Sequence, residues 1–311
     1  MDNPDRRAVM GAGLGASLAL AASPALAKDA KTAFAVPDGA CDCHHHIYDP
    51  RFAYNPKAVL KPPFATVADY RRLQKRLGTS RNVMVQPSTY GTDNSCVLDV
   101  LKQMGDGARA VCVVNSRVTD DELKRLNAAG ARGVRVQFGL GNPVSADEVM
   151  PLAKRIAPLG WHIQVNMPPE QLVAMEKLLL SLPVPVIVDH LGRAVDARGP
   201  QFDTVRRLLQ SGHGWVKLSG AYLYGGGAAP NYAGASAAAR GYISTAMERC
   251  VWGSDWPHPD ATSGRVAMPD DVVLLNLLAH WAPDEKLRHR ILVENPEKFY
   301  GFDPKKRPKA L

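Results

Sequence analysis

The chain is expected to fold as a single α/β domain, a (β/α)8 TIM barrel spanning about residues 38 to 303. Eight short runs rich in β-branched residues alternate with helical patterns, the signature of βα units around a parallel sheet, and eight such strands close a barrel. No linker breaks this alternation in a chain of 311 residues, and barrels of this kind commonly run to about 250 residues as one unit.

In order, the expected strands are "ACDCHHHI", "NVMVQPS", "RAVCVVN", "GVRVQF", "WHIQVNM", "PVIVDH", "WVKLSGAY" and "CVWGSD". Between them lie "TVADYRRLQKRLG", "TDDELKRLNAAG", "SADEVMPLAKRIAPLG" and "PEQLVAMEKLLLSL". Each opens on a polar residue or proline and carries apolar residues at helical spacing. The Gly/Ala-rich stretch 224–241 follows strand seven and is a candidate lid.

Strand one continues as "CDCHHHIYDP", with three successive histidines. Alternate side chains of a regular strand point to opposite faces. Asp42, His44 and His46 are therefore expected to share the face that converges on a site. Cys41, Cys43 and His45 would take the other, with His45 between the barrel and its outer helices. Because catalytic groups of such barrels lie at the carboxyl ends of strands and in the loops after them, a linear list becomes a candidate site. His44 and His46 end strand one, Gln86 and Ser88 end strand two, and Arg135 and Gln137 share a face of strand four. His190 closes strand six, Tyr222 follows strand seven, Asp255 closes strand eight, and His258 lies just beyond it.

Composition narrows the class. With 46% apolar and 22% charged residues the chain is neither disordered nor fibrous. The net charge of +8 favours anionic small molecules. No dense basic run exists beyond the tail "KKRPK", which argues against nucleic acid as a partner. Ahead of the barrel, Arg6 and Arg7 precede an apolar Gly/Ala-rich run ending in Ala25-Leu26-Ala27. This has the form of a cleavable leader over residues 1–27, of the twin-arginine type, with a linker at 28–37 after it. It implies a periplasmic protein with no lasting membrane association, and a basic tail at 304–311 ends the chain. The five cysteines, odd in number, are read as core thiols rather than disulfides.

The candidate residues suit hydrolysis of an ester. A carboxylate at Asp255 takes a proton from water, and imidazoles at His44, His46 and His190 stabilise the oxygen that becomes negative. The same four residues are also a plausible ligand set for one divalent metal, zinc above all. A second metal lacks a bridging group, since "GVRVQF" offers no lysine or carboxylate, and strand five adds only Gln164 and Asn166 near its end. The cofactor is thus none or one divalent ion.

"DCHHHIYDPRF", "VMVQPSTYGTDN", "GARGVRVQF", "VIVDHLGR", "VKLSGAY", "VWGSDWPHP" and "LVENPEKFYGF" together resemble the amidohydrolase 2 family of TIM-barrel hydrolases. The likeness is greatest to the branch with pyrone dicarboxylate lactonase, sulfomuconolactone hydrolase and sugar-acid lactonases or lactone isomerases. The resemblance implies Asp255 as general base, with Ser88 and Asn94 in a substrate-binding loop and Arg135 as an anion-binding arginine. Gln86, Tyr222 and His258 complete the expected substrate contacts. One departure is Leu223, where the dicarboxylate lactonase resembles an arginine that holds a second carboxylate; an apolar side chain cannot pair with one. The expected activity is opening of a small anionic lactone. The alternatives are a metal-dependent decarboxylase, a lactone isomerase or a non-catalytic exported binding protein, and the oligomeric state is left open.

Overall fold

A computed structural model describes residues 31–138 and 144–311; the leader expected over 1–27 lies outside the described residues. Residues 31–311 form one compact unit. Eight parallel strands run in the order β1-β2-β3-β4-β5-β6-β7-β8. They are β1 (Cys41–His45), β2 (Arg81–Val85), β3 (Ala108–Cys112), β4 (Ala131–Gln137), β5 (His162–Asn166), β6 (Val186–Val188), β7 (Gly214–Leu218) and β8 (Cys250–Trp252). The helices between them are α1 (Val67–Leu77), α2 (Ser95–Met104), α3 (Asp120–Ala129), α4 (Val149–Ile156), α5 (Pro169–Ser181), α6 (Pro200–Gln210) and α7 (Ala233–Ala246). After β8 come α8 (Pro259–Thr262), α9 (Asp271–Trp281), α10 (Glu285–His289) and α11 (Asn295–Tyr300). The single-domain TIM barrel expected from the sequence is the fold observed.

The seam between β8 and β1 is closed by loop and side chain rather than by a regular ladder. His46 N donates to Trp256 O at 2.7 Å and Asp255 N to His44 O at 2.8 Å. The Asp42 carboxylate accepts from Ser254 N (2.9 Å), Ser254 Oγ (2.6 Å) and the Tyr70 hydroxyl (3.0 Å). Gly253 makes this approach feasible, because a Cβ there would lie 2.6 Å from His44 Cβ.

The faces of β1 differ from strict alternation. Asp42 is paired with Asn82 and His45 with Met84, so three steps along β1 match two along β2, a bulge that inverts the parity of the residues after it. Cys41 and Cys43 therefore point inward, into an apolar cluster with Val83, Val85, Val111, Ile187, Trp215, Val251, Tyr300 and Phe302. Asp42 points outward to Tyr70 of α1 and is a seam residue, which corrects its expected placement on the site face. His45 also points outward, stacked on Tyr70 with ring centroids 3.6 Å apart and bonded through Nε2 to Asn82 Oδ1 at 3.0 Å. All five cysteines are buried and free.

The second half of the Gly/Ala-rich stretch 224–241 belongs to α7, while Tyr224 at its start lines a cavity together with Asp255. Alanine is the strongest helix former, and Ala235, Ala238, Ala239, Tyr242, Ile243 and Ala246 of α7 are buried. At the opposite end of the barrel the tail folds back, with Gly39 N donating to Pro308 O at 2.8 Å.

Candidate active site

At the carboxyl ends of the strands, Asp255 Oδ1 lies among three imidazoles. Nε2 of His44, His46 and His190 stand 3.5, 3.6 and 3.7 Å from it, and His44 Nε2 is 3.4 Å from His46 Nε2. All four residues are buried. The other carboxylate oxygen, Oδ2, accepts from the Tyr222 hydroxyl at 2.7 Å, so Oδ1 alone is free to act. Burial raises the Asp255 pKa above the ordinary carboxylate value, against the pull of His190 and His258.

The second nitrogen of each ring defines its tautomer. His46 Nδ1 lies 2.7 Å from Val85 O, a pure acceptor, so Nδ1 carries the proton and Nε2 presents a lone pair. Burial, reinforced by the Arg135 charge, keeps this ring well below its ordinary pKa and neutral. His44 Nδ1 has two neighbours at 3.3 Å, Lys217 Nζ and Asp189 Oδ1. Accepting from the lysine turns an N–H toward the cavity; donating to the aspartate turns a lone pair there. His190 Nδ1 lies 3.0 Å from Ser219 Oγ, which can serve in either direction.

Beneath the histidines is a buried ionic layer whose Lys217 and Asp189 are not among the site residues expected from the sequence. Lys217 Nζ donates to Gln164 Oε1 (2.7 Å) and lies 3.5 Å from Asp189 Oδ1; Gln164 Nε2 donates to Asp189 Oδ2 (2.9 Å), and Arg135 Nε lies 3.6 Å from the same oxygen. Burial opposes ionisation of Asp189, but His44, Lys217 and Arg135 outweigh it and hold the carboxyl well below its usual range. A signal was present in the sequence: Lys217 is two residues after inward Trp215, and Asp189 two after inward Ile187, each an ionisable group at an inward position of a buried strand.

The cavity above includes His46, His190, Asp255, Ser88, Arg135 and Gln137 among its lining, with Tyr48, Asn166, Tyr224 and Asp260 around them. Other expected substrate contacts are engaged elsewhere. Asn94 is tied to the backbone just after β3, donating to Val113 O (2.9 Å) and accepting from Val113 N (3.1 Å). The Gln86 amide donates to Asp93 O at 2.6 Å, while its backbone carbonyl accepts from Arg135 Nη1 at 3.3 Å. Both residues shape the loop after β2 because their amides satisfy backbone groups that a tight loop leaves over. His258 is bonded through Nε2 to Asp271 Oδ1 at 2.9 Å and stands edge-on to Tyr222. Asp271 outweighs burial and raises the His258 pKa. Tyr222 and His258 therefore brace Asp255 from behind. Leu223 is buried.

The converging atoms suit a divalent cation. His44, His190 and Asp255 offer ligand atoms all within 4.8 Å of one another. Ligands about 2.0–2.1 Å from a tetrahedral ion sit roughly 3.3–3.4 Å apart, close to the 3.4–3.7 Å separations measured here. The inward lone pair of His46 Nε2, facing a carboxylate oxygen, is also what a cation would relieve.

A parallel barrel whose strand-one histidines meet a histidine after β6 and an aspartate after β8 is a hydrolase-type TIM barrel, with these ionisable groups at the carboxyl ends of its strands. The chain belongs to the amidohydrolase family, whose model matches residues 41–302. It is 35% identical over 286 residues to a 4-sulfomuconolactone hydrolase of Rhizobium radiobacter, covering 88% of this chain and 94% of that one. It is 33% identical over 289 residues to a 2-pyrone-4,6-dicarboxylate hydrolase of Comamonas testosteroni, covering 88% and 94%. A crystal structure from Agrobacterium tumefaciens in the apo form superimposes with a TM-score of 0.79 at 31% identity, covering 87% of this chain and 98% of that one.

Proposed function

We propose that this protein hydrolyses a small anionic lactone, with Asp255 as the general base. The observation that carries the reading is Asp255 Oδ1, ringed by three imidazole nitrogens at 3.5–3.7 Å while Tyr222 occupies Oδ2. The similarity to a sulfomuconolactone hydrolase and a pyrone dicarboxylate hydrolase supports a cyclic ester as substrate.

The substrate's carboxylate or carbonyl faces the Arg135 guanidinium, which Gln86 O and Asp189 orient from behind. Asp255 Oδ1 takes a proton from the attacking water, and its raised pKa suits it to hold that proton. With Ser219 donating to His190 Nδ1, the ring turns its Nε2–H toward the oxygen that becomes negative; Lys217 can orient His44 likewise. As the ring opens, the Asp255 carboxyl returns its proton to the departing alkoxide. A divalent ion held by His44, His190 and Asp255, with His46 beside it, would supply Lewis-acid activation of water, lowering its pKa to about 7.

The test is a panel of lactones and linear esters, assayed with enzyme as purified, after chelation, and after zinc is returned. Lactone opening that Asp255→Asn abolishes is the expected result. Carbon dioxide release, or no turnover of any cyclic ester, would overturn the reading, and the chelated arm reports whether the ion is needed.

A further inference from the structure

The cavity is electrically polarised. Arg135, 4% exposed, and Asp260, whose side chain is 28% exposed, both line it, so Asp260 is on its solvent side. Asp260 belongs to the short α8, and the chain between Asp255 and α8 is tightly wound: His258 N donates to Asp255 O at 2.8 Å and Ala261 N to His258 O at 2.9 Å. Arg265 N anchors Asp260 O at 2.9 Å, which fixes the Asp260 backbone. One carboxylate oxygen, Oδ1, accepts from Arg265 Nη1 at 3.3 Å; that arginine is half-exposed and so neutralises the acid incompletely. Tyr224, another lining residue, has its hydroxyl pushed up to about 12 by burial, with Arg193 opposing and Asp255 and Asp260 adding to the shift. Asp260 and Tyr224 line the same cavity, so the carboxylate faces groups held there. Beside it Asn166 and Gln137 contribute amides and Ser88 a hydroxyl. Arg193 donates to Asn166 Oδ1 at 2.9 Å and lies over the Tyr224 ring, its centre 4.7 Å from the ring centroid.

We propose that Asp260 is a specificity-determining residue: it sets the charge accepted at the outer end of the substrate, so that the site takes lactones with one anionic group, directed at Arg135, and hydroxyl donors at the mouth. A second carboxylate on the lactone would face the Asp260 carboxylate, and like charges brought together in a partly dehydrated cavity repel strongly. Hydroxyls, by contrast, donate to a carboxylate that has acceptor capacity to spare. The proposal rests on the lactonase reading for its substrates, but its electrostatic content concerns binding alone.

Two butyrolactones, one carrying a single carboxylate and the other the same ring with two, are compared for kcat/KM with wild type, Asp260→Asn and Asp260→Lys. Calorimetric binding of the tetrahydrofuran mono- and dicarboxylates, which keep the ring and the charge of the two lactones and cannot be hydrolysed, forms a second arm that needs no turnover. Wild type should favour the monoanion. Asp260→Asn should raise the dianion-to-monoanion ratio about tenfold in both arms, and Asp260→Lys further. Added salt should shrink the wild-type preference. A ratio that stays within about twofold in both variants would overturn the role of Asp260, as would failure of wild type to bind either tetrahydrofuran acid. A shifted binding ratio without lactone turnover would instead overturn the lactonase reading and leave the assignment of Asp260 standing.

Discussion

At the amino end of the barrel, Glu297 receives Arg81 Nη1 at 2.6 Å and Arg307 Nε and Nη2 at 2.8 and 2.9 Å. Arg81 spends its other nitrogen on Asp303 O and Lys306 O, and its guanidinium lies over the Phe302 ring. At the carboxyl end, Asp255 Oδ1 instead meets three imidazole nitrogens no nearer than 3.5 Å, one of which presents a lone pair. Both ends bury charge. At the first every acceptor has a donor, so the cluster straps the tail across the barrel floor. At the second, the His46 lone pair and the Asp255 oxygen face each other with no proton between them, an arrangement that costs stability and prepares the site to receive a proton, a cation or a polar substrate.

Removing one charge from each end should break the molecule in opposite ways. Asp255→Asn should lower kcat by about 10²- to 10⁴-fold, the usual worth of a general base. Its unfolding midpoint in urea should be equal to wild type or higher, because a crowded acceptor is replaced by a group that can also donate. Glu297→Gln should do the reverse. Leaving two arginines short of their partner charge should cost about 3–5 kcal/mol of stability, with kcat/KM per folded molecule unchanged. A Glu297→Gln enzyme with normal stability but impaired turnover would dissolve the contrast between the two ends.

The sequence disclosed one end far better than the other. Eight strands, the inward His44 and His46, His190, Arg135 and Asp255 were all legible, because period-two alternation and the position of polar residues at strand ends carry that information. The bulge in β1 was not legible. It depends on how β1 registers against β2, and its effect was to move Asp42 outward and Cys41 and Cys43 inward without changing the faces of His44, His45 and His46. The braces behind Asp255 were legible only as polar residues in loops: Tyr222 and His258 read equally well as substrate contacts until the folded loops showed them turned toward Asp255 and Asp271. Glu297 and Arg81 gave no sign of their pairing, being 216 residues apart.

Tyr222→Phe sharpens the contrast by removing one donor from the carboxyl end without altering a charge. A hydrogen bond to a charged group is worth about 1.5–3 kcal/mol, so kcat should fall by roughly ten- to a hundredfold as Asp255 loses its fixed orientation. KM should move little, since the hydroxyl is spent on Asp255 Oδ2. A rise in KM with kcat preserved would return Tyr222 to the substrate contacts expected from the sequence.

The last comparison concerns acid, and it isolates the amino end. His162 is buried there beside Phe299 and Tyr300, with ring centroids 4.5 and 5.4 Å away. Burial lowers its pKa from the ordinary value to about 3, and Lys217 reinforces the shift against Asp189. The folded protein thus keeps this ring neutral, whereas the unfolded chain protonates it below about pH 6.5. Between those two values the unfolded state binds the extra proton, so stability falls as pH is lowered, by up to about 1.4 kcal/mol per pH unit for this one group. Replacing it by phenylalanine, which fits an aromatic setting and cannot titrate, should remove that share of the slope while leaving turnover at neutral pH unchanged. Urea unfolding of wild type and His162→Phe at pH 6.5, 5.5 and 4.5 makes the comparison. His45, also lowered to about 3 by burial, remains in both proteins and contributes equally to each curve. Parallel curves would mean that His162 is protonated to the same extent in the folded and unfolded chains, and that its contacts with Phe299 and Tyr300 do not exclude the charge.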